Sequence, residues 1–154
     1  MSNSQKRHWP DLAGHIEGGR HILPVRVYFE DTDFSGLVYH TSYLRWCERG
    51  RSDFVRLLGM CHSDLYAGQE QEPAAFVVRR LEVDYLRPAR IDEVVEVITE
   101  CTETGGAHLM LAQRVERDGT VLCRVTVKVV LISQSGKPLR LPAAVRGSMT
   151  QQQQ

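Results

Sequence analysis

One long stretch of this chain, Thr41 to Leu58, repeats its apolar residues at the helical period, and from Ala75 onward the pattern alternates at period two. On such a helix Tyr43, Trp46, Cys47, Gly50, Phe54, Leu57 and Leu58 share one side, while Arg45, Glu48, Arg49, Arg51 and Ser52 fill much of the rest. Thr41 or Ser42 can cap its start, and Gly59 can supply the left-handed residue after its end. A lone amphipathic helix of about five turns cannot bury its apolar stripe against other helices. It has to lie on a sheet.

The sheet is legible on both sides of the helix. Ile22 to Phe29 alternates as a short strand, followed by the turn-rich run from Glu30 to Gly36. Ser63 to Gln69 suggests a short second helix. Phe76 to Leu86 predicts a strand with a bulge near Arg79-Arg80, and Pro88 ends it. Val94 to Thr104, His108 to Arg117 and Val121 to Ile132 follow as strands, separated by Gly105-Gly106 and by Asp118-Gly119, a strong hairpin signal. The order predicts an α+β domain in which an antiparallel sheet wraps around one long central helix, its last four strands in antiparallel succession. One helix covers only one face, so the uncovered edge predicts self-association. Residues 1–20 read as a poorly ordered leader, 21–145 as the domain and 146–154 as a frayed tail.

Charge and cysteine usage narrow the class. Nineteen Lys and Arg balance nineteen Asp and Glu, which excludes the basic surplus of a broad nucleic-acid footprint. The spacing of Cys47, Cys61, Cys101 and Cys123 fits neither a disulfide framework nor a zinc knuckle. No apolar run approaches the roughly 20 residues of a membrane span, and Met1 to Arg20 lacks a signal-peptide core. A cytoplasmic location is therefore expected.

The chemistry concentrates between the first strand and the long helix, in Val27-Tyr28-Phe29-Glu30-Asp31-Thr32-Asp33-Phe34-Ser35-Gly36-Leu37-Val38-Tyr39-His40-Thr41-Ser42-Tyr43. A strand here delivers three acids into a tight loop that feeds a helix start. Helix starts offer unpaired N–H groups and partial positive charge, the elements of an oxyanion site. A nearby carboxylate can attack a thioester carbon or activate a water, without a metal.

This stretch resembles the signature of the 4-hydroxybenzoyl-CoA thioesterase family, of hotdog fold, and more closely that of the Tol–Pal-associated acyl-CoA thioesterases. The matching residues are Arg26-Val27-Tyr28, Glu30-Asp31-Thr32-Asp33, Gly36, Val38-Tyr39-His40 and Ser42-Tyr43, then Glu48-Arg49, Arg51, Ala75 to Arg79, Tyr85 and Pro88-Ala89-Arg90. The resemblance implies hydrolysis of an acyl-CoA or acyl-carrier thioester, with Asp33 as the catalytic carboxylate and the backbone N–H of His40 polarising the carbonyl. Tyr39 and Arg90 are expected on the substrate side, and no cofactor is implied. It also implies a homodimer with side-by-side helices, or a dimer of dimers, and acyl carrier protein as an alternative donor. Phe34-Ser35 departs from the pattern, where relatives usually carry a small residue or proline and then glycine or alanine. That leaves the acyl preference open.

Blander readings compete for these residues. Asp33 alone could be a turn residue, and Glu30 and Asp31 read as structural turn residues. Asp31, Asp33, His40 and His62 match no metal-ligand spacing. Ser35 does not sit in a nucleophile elbow, and Cys47, Trp46 and Phe54 read as core. Arg79, Arg80, Arg87 and Arg90 read either as a solvated face or as a patch for coenzyme A phosphates, Arg90 foremost. Two other functions compete: a non-enzymatic acyl-CoA-binding module of the same fold, and a hydroxyacyl dehydratase. Against the first stands the lack of any output domain, and against the second the placement of His40 and Asp33 on one loop.

Overall fold

The computed structural model describes residues 12–60, 62–68 and 72–153. Six strands form one antiparallel sheet: β1 (His15–Glu17), β2 (Arg20–Arg26), β3 (Ala74–Tyr85), β4 (Val94–Thr104), β5 (His108–Arg117) and β6 (Thr120–Ser133). The helices are α1 (His40–Leu57), α2 (His62–Ala67) and α3 (Ala143–Gln153), with a short 3-10 turn at Phe29–Asp31. The expected leader is ordered from its second half, because β1 pairs with β2. The expected tail carries α3, which buries Val145 and Met149 and packs on β4. Residues 1–11, Cys61 and Gln69, the expected end of the short helix, lie outside the described residues.

The strand order is β1-β2-β4-β5-β6-β3, so only β4, β5 and β6 form a meander. This corrects the expected succession of four strands. A tight turn dictates the β5–β6 hairpin, Asp118 and Gly119 both having the positive φ (50° and 80°) that suits a two-residue turn. No such turn follows β3. Its connector carries Pro88, and Asp92 N and Val27 N bond across to Val27 O and Glu93 O, which starts β4 beside β2. β3 therefore pairs with β6 at the far edge.

The inner face of the sheet presents Val95, Val97 and Thr99 from β4, Leu109, Leu111, Gln113 and Val115 from β5, and Cys123 to Leu131 at alternate positions of β6, nearly all fully buried. Against it α1 buries Tyr43, Trp46, Cys47, Gly50, Phe54 and Val55. Leu57, expected in this stripe, is 43% exposed, and Val55 takes its place. Gly50 marks the closest approach: an added Cβ would lie 3.0 Å from Val97 Cγ1 and 3.1 Å from Thr99 Oγ1. Beside it the buried Gln113 amide donates to Cys47 O (2.8 Å) and Thr99 Oγ1 (2.9 Å), and its carbonyl accepts from Arg51 Nη1 (3.0 Å). One side chain thus ties helix to sheet through two bonds and β5 to β4 through a third.

His21 on β2 is fully buried, stacked on Phe54 at 5.8 Å, with Nε2 bonded to Ala13 O (2.7 Å) and Nδ1 left without a partner among the described residues. Burial lowers its pKa against the pull of the Ala13 carbonyl and Asp53, and His15 adds to the lowering. The ring is therefore neutral in the fold and charges readily only when the chain unfolds. Its contribution to stability is full above the ordinary histidine pKa of about 6.5 and is lost as pH falls from there through the folded value. Melting temperatures from pH 7.5 to 5 are expected to drop more for the wild type than for His21→Leu. Parallel curves would contradict this.

Candidate active site

The loop after β2 is built by its own backbone. Asp31 folds back to accept Tyr28 N on Oδ2 (2.9 Å), which holds the 3-10 turn, in agreement with its structural reading. Thr32 and Val38 form a bridge that closes the loop, and Asp33 N donates to Leu37 O at 3.1 Å. The returning strand is stitched to the β3–β4 connector through Val38 N to Ala89 O (3.0 Å) and the Leu37–Arg90 bridge. Tyr39 N and Ser42 Oγ both donate to Asp31 O (2.8 and 3.2 Å). The hairpin-like closure is what sets Asp33 beside the mouth of α1.

Helix α1 begins at His40, one residue earlier than the pattern indicated. Tyr39 is its N-cap residue and makes no side-chain capping bond. Ser42 N returns to Tyr39 O (2.9 Å), whereas among the described residues the N–H groups of His40 and Thr41 have no acceptor. An uncapped helix start with two free N–H groups is an electropositive end suited to a polarised carbonyl oxygen.

Asp33, Ser35, Leu37, Val38, Tyr39, His40, Tyr43 and Tyr85 line one open groove together with residues 86–88. The structure thus brings Asp33, Tyr39 and His40 together. Arg90 is not among the lining residues; its backbone forms the Leu37 bridge and its N–H donates to Glu93 Oε1 (2.6 Å). Arg87 is the groove-lining arginine instead. Phe34 is fully exposed and does not line the groove, so within one chain it does not narrow it.

Three aromatic rings shape the walls. Tyr39 packs on His40 at 4.4 Å, and Tyr85 meets His40 and Tyr43 edge-on at 6.2 and 5.8 Å. Tyr43 Oη accepts from Ala89 N (2.8 Å), and Tyr85 Oη donates to His40 O (2.9 Å), which pins β3 to the first turn of the helix. Burial pushes both phenols up, so they are neutral groups at any working pH. Sequence reasoning missed Tyr85 as a wall of this site. Its alternation with Leu81 and Val83 was the available signal.

The electrostatics single out one group. Two bonds from Ser35 hold the Asp33 carboxyl below its ordinary range, so it is ionised at neutral pH. Cys47 and Cys123, by contrast, are pushed up by burial to about 12 and about 11, and stay protonated. Among the described residues no cluster of three His, Cys, Asp or Glu could hold a metal ion. The groove therefore offers a carboxylate, the His40 N–H, which has no acceptor among the described residues, and the neutral phenols of Tyr43 and Tyr85.

Known proteins share this arrangement of elements. The profile of the thioesterase superfamily matches residues 35–124. The acyl-CoA thioesterase YbgC of Haemophilus influenzae is 39% identical over 127 residues, 82% of this chain and 91% of that protein. The acyl-CoA thioester hydrolase YbgC of Escherichia coli O157:H7 is 41% identical over 124 residues, 79% of this chain and 90% of that protein. The crystal structure of a probable thioesterase from Bartonella henselae superposes with a TM-score of 0.78 at 41% identity, covering 80% of this chain and 99% of that one.

Proposed function

The chain belongs to the thioesterase superfamily, and on that premise we propose that it hydrolyses acyl-CoA thioesters to free acid and thiol, with Asp33 as the reacting carboxylate. The observation that carries this is the shared groove: Asp33 lines it together with His40, whose N–H at the helix start has no acceptor among the described residues. The thioester oxygen sits at the helix mouth and gains stabilisation as negative charge develops on it. Acting directly, the Asp33 carboxylate attacks the carbonyl carbon, the C–S bond breaks, and water then hydrolyses the resulting acyl–aspartyl anhydride to free acid and restores the carboxylate. Acting as a base, Asp33 takes a proton from the attacking water as the C–S bond breaks. In either route the thiolate takes up the proton that the water gives. Tyr39 and Arg87 contact the substrate, the arginine being suited to coenzyme A or carrier phosphates.

Finer placement with the Tol–Pal-associated acyl-CoA thioesterases is part of the same proposal, supported by the relatives near 40% identity. So is a cytoplasmic location, supported by the buried Cys47 and Cys123, which form no disulfide among the described residues. No described helix is long and apolar enough to cross a membrane. The test is thiol release from a panel of short, long and aromatic acyl-CoAs. Turnover of at least one supports the proposal, and binding without thiol release favours a non-catalytic binding module.

A homodimer completes the proposal. In β3 the bulge between Val78 and Arg80 re-phases the strand, so Phe76, Val78, Leu81, Val83 and Tyr85 all pair with buried-face residues of β6. Yet Val78, Leu81 and Tyr85 are 46%, 37% and 46% exposed, because α1 packs chiefly on β4, β2 and β5 and leaves this edge uncovered. A second β3 running alongside extends the sheet and buries the row. Light scattering is expected to give twice 17.5 kDa or a multiple of it. Val78→Lys/Leu81→Lys is expected to be monomeric. A monomeric wild type would end this part.

A further inference from the structure

We propose that Ser35 is a positioning residue for Asp33, its hydroxyl loading one carboxylate oxygen and leaving the other for chemistry; the proposal rests on the assignment of Asp33 as the reacting group. Residues 33–36 form a tight turn, with Gly36 N bonded to Asp33 O (3.1 Å) and Gly36 at φ 80°. Within it Ser35 N donates to Asp33 Oδ1 at 2.8 Å, an arrangement any residue at position 35 could provide. The hydroxyl is specific to serine here. Its oxygen receives the N–H of Leu37 (3.3 Å), so its single proton is directed to Asp33, and it lands on the same Oδ1. Both Ser35 bonds fall on Oδ1, and Oδ2 carries neither.

The consequence is orientation and ionisation together. Two donors on Oδ1 fix the carboxylate plane relative to a loop whose far side, Leu37 to His40, is the helix mouth. Donors to the charged form also favour that form, so Asp33 stays ionised into more acidic solution than an aspartate without those bonds would. A glycine or alanine at this position would offer the backbone bond alone. Ser35 thereby sets both the aim of the carboxylate and the acid side of the working range, without itself touching the reacting atoms.

The experiment compares pH profiles of kcat/KM, which report groups of the free enzyme. In Ser35→Ala the acid limb is expected to move to higher pH, with a several-fold loss of kcat at neutral pH and little change in KM. Ser35→Thr, which restores a hydroxyl, is expected to bring the limb back. Titration of the Asp33 carboxyl by carbon NMR is expected to show the same upward move in Ser35→Ala and its reversal in Ser35→Thr. Ser35→Gly replaces the alanine variant if that protein fails to fold. Superimposable acid limbs in wild type and Ser35→Ala, with Asp33→Asn inactive, overturn the Ser35 proposal alone. Wild-type turnover in Asp33→Asn overturns the Asp33 assignment and this proposal with it.

Discussion

Asp33→Asn is expected to leave a folded, acyl-CoA-binding protein whose turnover falls by about a thousandfold or more, the order lost when a positioned acid–base or nucleophilic group is removed. The substitution is close to isosteric, and an amide oxygen can still accept the Ser35 N–H and hydroxyl that now reach Oδ1. The loop is also closed by bonds that do not involve the side chain, from Asp33 N to Leu37 O and from Gly36 N to Asp33 O. What disappears is the negative charge, and with it both a nucleophile and a base. Matched melting curves and matched hydrodynamic size, alongside the collapse of kcat, separate chemistry from folding. Asp33 is the one carboxylate among the described residues that line the groove, and the Tyr43 and Tyr85 phenols there stay protonated.

Gly50→Leu is expected to be the most damaging single change to the fold. An ideal Cβ at position 50 already lies 3.0 Å from Val97 Cγ1, 3.1 Å from Thr99 Oγ1 and 3.4 Å from Gln113 Nε2. Val97 and Thr99 are fully buried and Gln113 nearly so. Overpacking of this kind costs about 1–3 kcal/mol. Prising α1 off the sheet further strains the Gln113 bonds with Cys47 O and Arg51, and a buried polar group left unmatched costs about 1–3 kcal/mol more. A combined loss of about 3 kcal/mol corresponds to roughly 6–12 °C of melting temperature for a domain of this size. Because the same helix carries His40 at its mouth, activity is expected to fall with stability. A melting temperature within about 2 °C of wild type, a loss under about 1 kcal/mol, would show that the interface has slack.

The local grammar of the chain was legible, and its long-range pairing was not. Val94–Thr104 and His108–Arg117 match the expected strands residue for residue, because alternation and the Asp118-Gly119 turn are short-range signals. The bulge near Arg79-Arg80 was legible for the same reason: apolar parity breaks there. Which strand lies beside β3 depends on the connector through Pro88 and on the Asp92–Val27 and Val27–Glu93 bonds, and no periodicity encodes those. β1 and α3 were missed because a three-residue strand and a Gln-rich helix carry weak patterns, while docking supplies their order.

At the site, Asp33, Tyr39 and His40 line one groove, which Arg87 lines and Arg90 does not. A run of arginines in sequence does not reveal which of them lines it. Gln113 was findable. It falls in phase with Leu109, Leu111 and Val115 on a buried face, where an amide must have partners. The Ser35 hydroxyl bond to Asp33 was not, since it depends on how four residues turn.

The central claim is a spatial one, and a crystal structure of Asp33→Asn bound to a slowly turned-over acyl-CoA tests it most directly. The account predicts the thioester oxygen about 2.7–3.1 Å from the amide nitrogen at the start of α1, with the carbonyl carbon turned toward residue 33. A thioester bound away from that helix start, with residue 33 facing only water, would contradict it.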